Sequence, residues 1–458
     1  MAVCNIKDFG AKGDGVTKDT KAIEAAVNKC TENGGGTVYV PAGTYLTGAV
    51  FLKSNINLYI EAGATLLFSN DFDDFPIVTS RWEGVKRECF ASCINADGQK
   101  NVSVTGHGTI DGNGEFWWKI FREDKEALKK DPNTEKKLPY PRPKLVAPYE
   151  CDKFILDGVT LTNSPSWTVN PILCNNVTVH NVTVKNPYTS PNTDGIDPES
   201  CSNVHISDCY IDVGDDCIAI KAGTEDTADR VPCTNITITN CTMVHGHGGV
   251  VLGSEMSGDI TNVTISNCVF EGTDRGIRLK SRRGRGGKVE DIRVNNIVMN
   301  KVFCPFVANL YYYCGPKGDD KYVWDKSPYP ITEETPAFRR LNFANITAKD
   351  VSASAGFFYG LAEMPVEDAS FDNVYISLAK DAAPEIPAMA AGVEPCTRKG
   401  FFISNTDGLT FNNVKIVGVE GDAFEVENSK NITFVNCRAT GEGKLVAQKE
   451  NVENCKIE

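Results

Sequence analysis

Three aspartates, a histidine and two cations recur in this chain at intervals that group acid, base and anion-binding chemistry. NTDG spans Asn192 to Gly195, GDD spans Gly214 to Asp216, GHGG spans Gly246 to Gly249, and RGIRLKS spans Arg275 to Ser281. The steps from Asp194 to Asp215, Asp216 to His247 and His247 to Arg278 are 21, 31 and 31 residues. Carboxylates crowded together cannot all ionise, so one stays protonated as a proton donor while another activates water. Hydrolysis of a glycosidic bond needs that pair of states. Arg278 and Lys280 stand at i and i+2, which puts both on one face of a strand, where they would bind a carboxylate-bearing sugar. Arg282, Arg283 and Arg285 follow in a Gly-rich turn, a positive patch on a chain of net charge −13, and read as further ligands for substrate carboxylates. A second NTDG at Asn405 to Gly408 serves as a control: no GDD, His or cation pair follows it, so Asp407 is assigned to a turn. His107, His180, His205 and His245 have no such company and are read as structural.

The elements that must position these groups are set by internal repetition. A phrase of Asn, a branched apolar residue and then alternating polar and apolar residues begins at Asn101, Asn176, Asn203, Asn235, Asn262, Asn345, Asn373, Asn413 and Asn431, with Asp291 filling a gap. From Asn176 the starts are 27, 32, 27 and 29 residues apart, too long for a hairpin and suited to a coil of three strands. Stacked coils pair their strands in parallel, so the four chemical phrases, each about one coil from the next, would line one sheet. The expected fold is all-β, a right-handed parallel β-helix. Asn suits the left-handed turns between sheets, and the NxT and NxS triplets are read as turn chemistry, not as glycosylation sites.

Residues 17 to 32 have helical periodicity, with Ala22, Ile23, Ala26, Val27 and Cys30 on one side, and read as a short helix capping the first coil. The preceding GAKGDG lacks the Gly-Lys-Ser/Thr of a phosphate loop and reads as a turn. Two stretches break the repeat, 114–147 and 311–340, and are expected to be loops walling a cleft. No linker divides the chain, so one β-helix domain over 1–458 is expected, with a cap region over 1–50. Net charge argues against a general affinity for nucleic acid or anionic membranes, and no run approaches the roughly 18 apolar residues of a membrane span. The 17 cysteines include copies at one repeated place, Cys209, Cys241 and Cys268, which read as small apolar filler. With no signal peptide visible in MAVCNIKDFGAKGDG, a cytoplasmic location is favoured; a removed leader leaves secretion open.

Taken in order, NTDG, GDD, GHG and RxK resemble the polygalacturonases of glycoside hydrolase family 28, and NIKDFGAKGDGVTKDT resembles that family's N-terminal cap. The resemblance covers most of the chain. It implies cleavage of α-1,4 galacturonosyl linkages with inversion. Asp215 is then the general acid, Asp194 and Asp216 hold and deprotonate the water, and His247 tunes the acid. Asn192, Arg278 and Lys280 bind galacturonate, joined by a tyrosine best matched by Tyr311, with Tyr312 a close contender because strand register decides which faces the cleft. GVVLGSEMSGD and KSRRGRGG resemble the exo-acting bacterial members, while RLK replaces the more usual RIK. The implied partner is an acidic pectic oligo- or polysaccharide, with no cofactor and no metal. Homogalacturonan, rhamnogalacturonan or a substituted oligosaccharide all remain open as substrate, as does the oligomeric state. Two alternatives stand: a calcium-dependent pectate lyase, since clustered carboxylates suit Ca²⁺, and a non-catalytic β-helix that binds acidic glycans.

Overall fold

A computed structural model describes residues 2–315 and 317–458; Met1, within the cap region, and Pro316, within the 311–340 insertion, lie outside them. The coil turns are set by the expected asparagines. All nine Asn starts, and Asp291 in the gap, adopt the left-handed conformation with φ between 53° and 59°. A short side chain that can bond to its surroundings makes that conformation tolerable. The amides also link one coil to the next: Asn262 Nδ2 donates to Asn235 Oδ1 at 3.1 Å and Asn373 Nδ2 to Asn345 Oδ1 at 2.8 Å.

The chain separates into two compact units, Met1–Asp216 and Cys217–Glu458, both parallel β-helical. In the first, Gly36–Val40, Ile56–Ile60, Lys100–Gly106, Asp152–Asp157, Asn175–His180 and Ser202–Ser207 pair in parallel, one strand per coil. A second line runs from Gly43–Thr47 through Ala64–Phe68 and Thr109–Asp111 to Tyr210–Val213. The third line is Val50–Phe51, Ile94–Asp97 and Val146–Tyr149, continued by single bridges from Val146 to Val169 and Val169 to Ile196. Helix α1, Thr20–Glu32, buries the five predicted residues Ala22, Ile23, Ala26, Val27 and Cys30. The GAKGDG segment is only in part the expected turn: Asp19 accepts at its carboxylate from the backbone N–H of Lys12 at 2.7 Å and of Gly13 at 3.0 Å, and the segment's last two residues open the strand Asp14–Lys18.

In the second unit, Ile218–Ile220, Val250–Gly253, Arg275–Lys280, Cys304–Asn309, Ser354–Tyr359 and Lys399–Ser404 form one parallel sheet. Longer strands bend through their left-handed Asn to supply the other faces, among them Ile260–Glu271, Lys288–Asn300 and Ala337–Val351. Identical positions stack inward from coil to coil. Ile236 lies beside Val263, Val263 beside Ile292, and Ile292 beside Leu341, each no more than 1% exposed. Phe343, Phe371, Phe411 and Phe434 stack with ring centroids 4.8, 4.8 and 5.1 Å apart, the strand spacing of a sheet repeated in side chains. Cys209, Cys241 and Cys268 are buried as filler, and all 17 thiols are unbridged.

The 114–147 insertion is not the expected loop. It contains a second helix, α2, Glu115–Lys130, whose Trp117 is fully buried against Phe72, Phe75 and Phe90. An antiparallel hairpin, Ile77–Trp82 with Val85–Phe90, also departs from the repeat and had no counterpart in the sequence reading.

Candidate active site

The NTDG and GDD turns lie on neighbouring coils of the first unit. Thr168 N–H donates to Asp194 O at 2.9 Å, and Gly195 N–H donates to Asp216 O at 3.0 Å, so the turns are stacked by the backbone. Gly214 is required there by close packing, because a Cβ would lie 2.4 Å from Tyr188 O. Asp216 N–H donates to Asp215 Oδ1 at 2.9 Å. The result is one carboxylate oxygen from each of Asp194, Asp215 and Asp216, all within 4.8 Å of one another. Asp194 and Asp216 are buried and Asp215 is half-buried. At that separation the charged forms repel strongly, which favours retention of a proton by the group.

Asn192, left-handed at φ 54°, accepts at Oδ1 from Arg142 Nη2 at 2.8 Å. Arg142 is buried, donates further to the carbonyls of Pro165 and Pro191, and lies 4.1 Å from the centre of the Phe121 ring. Burial lowers this guanidinium to about 9, and the fields of Asp194 and Asp215 act against the shift. Arg142 is therefore a fixed cation beside the carboxylates that the sequence reading missed; a lone Arg among prolines gives no signal by type or spacing. One coil before Asp194, Trp167 stacks on Trp82 of the hairpin at 4.8 Å, with Lys144 Nζ 5.2 Å from the Trp167 ring centre. Lys144 Nζ also donates to Arg81 O at 2.8 Å, which ties the hairpin to this face.

In the second unit GHGG stacks on the turn that precedes RGIRLKS: Asp274 N–H donates to Gly246 O, and Gly249 N–H to Arg275 O, both at 2.9 Å. His247 Nδ1 lies 2.7 Å from Asp274 Oδ2, and Arg275 Nη1 lies 3.3 Å from the same oxygen. Asp274 is a second residue the reading missed, although it follows His247 by 27 residues, one coil. Arg278 and Lys280 project from the same face of Arg275–Lys280, as their spacing requires. Arg278 Nη1 donates to His247 O at 3.4 Å, and Nη2 meets Met389 Sδ at 3.0 Å.

Four predicted substrate ligands are corrected by this unit. Tyr311 is fully buried, while Tyr312 is the ring beside the cations, with its centre 5.7 Å from Arg278 and 5.3 Å from Lys280. Strand register turns Tyr311 inward. Arg282, Arg283 and Arg285 are also buried and are neutralised within the protein. Arg282 and Arg285 each pair with Glu225 at 2.7 Å, and Arg283 makes two bonds to Glu363 at 2.6 and 2.8 Å. The carbonyls of Tyr322, Asp325 and Ser327 complete the Arg283 shell, so Arg283 anchors the 311–340 segment, while Arg282 and Arg285 are held by Glu225.

The model of Glycosyl hydrolases family 28 matches residues 30–390. A probable polygalacturonase of Vitis vinifera is 34% identical over 85% of this chain and 79% of its own length. The exo-poly-alpha-D-galacturonosidase of Dickeya chrysanthemi is 28% identical over 90% of this chain and 71% of its own. Among solved structures, the hyperthermoactive exopolygalacturonase from Thermotoga maritima superposes with a TM-score of 0.76 at 30% identity, covering 91% of each chain. With the stacked carboxylate turns already placed by the coils, these matches show that the chain is a glycoside hydrolase and belongs to glycosyl hydrolases family 28.

Proposed function

We propose that this enzyme hydrolyses α-1,4 galacturonosyl linkages of pectic polysaccharide or oligosaccharide, releasing galacturonate from the chain end with inversion. The observation that carries the reading is the trio Asp194, Asp215 and Asp216, oxygens within 4.8 Å, fixed on stacked turns. Asp215, the least buried, donates its proton to the glycosidic oxygen. Asp194 and Asp216 hold the water between them and take its proton as it attacks. His247, oriented by Asp274, tunes the acid. Arg278 and Lys280, flanked by Tyr312, receive the galacturonate carboxylate, and Asn192 is held for the same substrate by Arg142.

Oxygens this close are tighter than the about 6.5–9.5 Å between the carboxyls of most inverting pairs and nearer the about 5–5.5 Å of retaining ones. A third carboxylate changes the geometry. Two of them can share one water on a single side while the third gives the proton, so no wide gap between acid and base is needed. Inversion is thus the reading favoured by the trio together with the family.

Exo action is supported by the Ile77–Phe90 hairpin, which departs from the repeat and packs through Trp82 on Trp167, one coil before Asp194, a place from which it would close one end of a cleft. The similarity to exo-acting relatives points the same way. For localisation, 17 unbridged thiols support a reducing, cytoplasmic compartment, where imported oligosaccharides would be the substrate. The test is a product profile on polygalacturonate and rhamnogalacturonan. Monomer from the first time point on polygalacturonate alone is expected; a ladder of oligomers would replace exo with endo action, and preference for rhamnogalacturonan would replace the substrate.

A further inference from the structure

Beyond the cation pair, the sheet of the second unit carries a second groove. The row containing Lys280 runs to Asn309 on the next strand, then to Tyr359 and Ser404. At the usual strand spacing, Tyr359 stands about 10 Å from Lys280 along the same face. There a groove of about 570 Å³ is lined by Lys326, Tyr359, Asn405, Asn428, Lys430 and Asn451.

The Lys326 ammonium is the unusual member. It lies 3.3 Å from the centre of the Tyr311 ring and 4.5 Å from that of Tyr359. Two aromatic faces attract a cation but do not neutralise it. Among the described residues no carboxylate pairs with it: Glu363 is taken by Arg283. The side chain as a whole is exposed, but its ammonium end sits against the two rings and is partly desolvated there, which together with repulsion by Arg283 lowers it to about 8. Lys430 is half-exposed and holds Asp407 at 3.3 Å, leaving hydrogens for a further acceptor. Among the described residues, Glu453 is the one acid on the groove wall. Among the described residues, three asparagines keep part of each amide without a protein partner: Asn405 Nδ2 donates to Gly360 O, and Asn451 Nδ2 donates to Asn428 Oδ1. Cations, an aromatic face and unspent amides together suit an acidic sugar.

We propose that this groove is a second binding site for uronate residues of the substrate, in which Lys326 and Lys430 receive carboxylates of a chain that extends past Lys280. The assignment rests on the acidic-glycan reading given above. It makes the enzyme favour long chains over short ones, because the second contact is intramolecular once the first is made.

The test is calorimetric binding of polygalacturonate and of trigalacturonate to the full chain carrying Asp215→Asn, with and without Lys326→Ala and Lys430→Ala. Removing both cations should weaken polygalacturonate about tenfold, the size expected for two solvent-facing ion contacts, and leave trigalacturonate unchanged. Lys326→Arg, which keeps the charge, should retain polymer binding. Equal polymer affinity with and without the two lysines overturns the groove, as does equal weakening of both ligands, which would mean general damage to the unit. If the Asp215→Asn chain with its lysines intact binds neither ligand, the acidic-glycan reading itself fails, and the groove proposal with it.

Discussion

Asp274 Oδ2 lies 2.7 Å from Nδ1 of His247, one coil earlier, and fixes the orientation of the imidazole. The same carboxylate is gripped by Arg275, whose guanidinium is held in turn by the carbonyls of Ile386 and Pro387. Asp274 is a positioning residue with no contact to substrate assigned. Asp274→Asn should lower kcat on the order of 10²-fold, as for a misplaced catalytic group, while KM scarcely moves. Asp274→Glu should recover part of the loss. A variant that loses thermal stability but keeps kcat would assign Asp274 a structural role only.

Asp215→Asn removes the proton donor without changing shape. Reducing-sugar release from polygalacturonate should fall by about 10²–10⁴-fold, the range for loss of a general acid, with binding retained. Unchanged release would remove Asp215 from the chemistry. Unchanged behaviour together with a wild-type chain that binds but never cleaves would mark a non-catalytic glycan-binding β-helix.

The two neighbouring tyrosines should separate cleanly. Tyr311→Ala empties a fully buried site and should cost about 3–5 kcal/mol of stability, read as a lower urea midpoint. Tyr312→Ala should leave that midpoint near wild type and raise KM for polygalacturonate, because its ring flanks Arg278 and Lys280. The opposite pattern would restore Tyr311 as the substrate ligand.

Acid stability should depend on Glu290, which is buried among Lys288, Arg339 and Arg340, each with a nitrogen 2.7 Å from its carboxylate. Burial works to raise its pKa, and the three cations outweigh it and hold the group at about 2, against an ordinary 4.5. As pH falls through that window the unfolded chain takes up a proton that the folded chain refuses. Stability from this group is therefore full above 4.5 and lost on descent towards 2. Glu290→Gln should be less stable at neutral pH and lose less on acidification, measured as urea midpoints down to about pH 3. Parallel curves for the two proteins would contradict the assignment.

The β-helix was legible because its signal is local: a left-handed turn every coil selects Asn, and Asn203, Asn235 and Asn262 announce the period directly. The carboxylate trio was legible because turn stacking follows from the same period. What escaped depends on partners far away in sequence. Arg282 and Arg285 read as ligands for substrate carboxylates because Glu225, which neutralises them, lies 57 and 60 residues earlier. Tyr311 and Tyr312 differ only by the parity of one strand end. Helix α2 was readable in principle, since FWWKIFREDKEALKK alternates apolar and charged residues at helical spacing, but its tryptophans and neighbouring prolines suggested a loop. The Ile77–Phe90 hairpin is stabilised by packing on Trp167 and Lys144, a tertiary effect with no marker in its own residues.

The most direct measurement is a proton NMR time course of the wild-type chain acting on polygalacturonate. The proposed inverting exo action predicts galacturonate monomer from the first spectrum, initially as the β-anomer, with no unsaturated product. Initial α-anomer would make one of the three carboxylates a nucleophile; an unsaturated product, lost on adding EDTA, would make the protein a calcium-dependent lyase and contradict hydrolysis altogether.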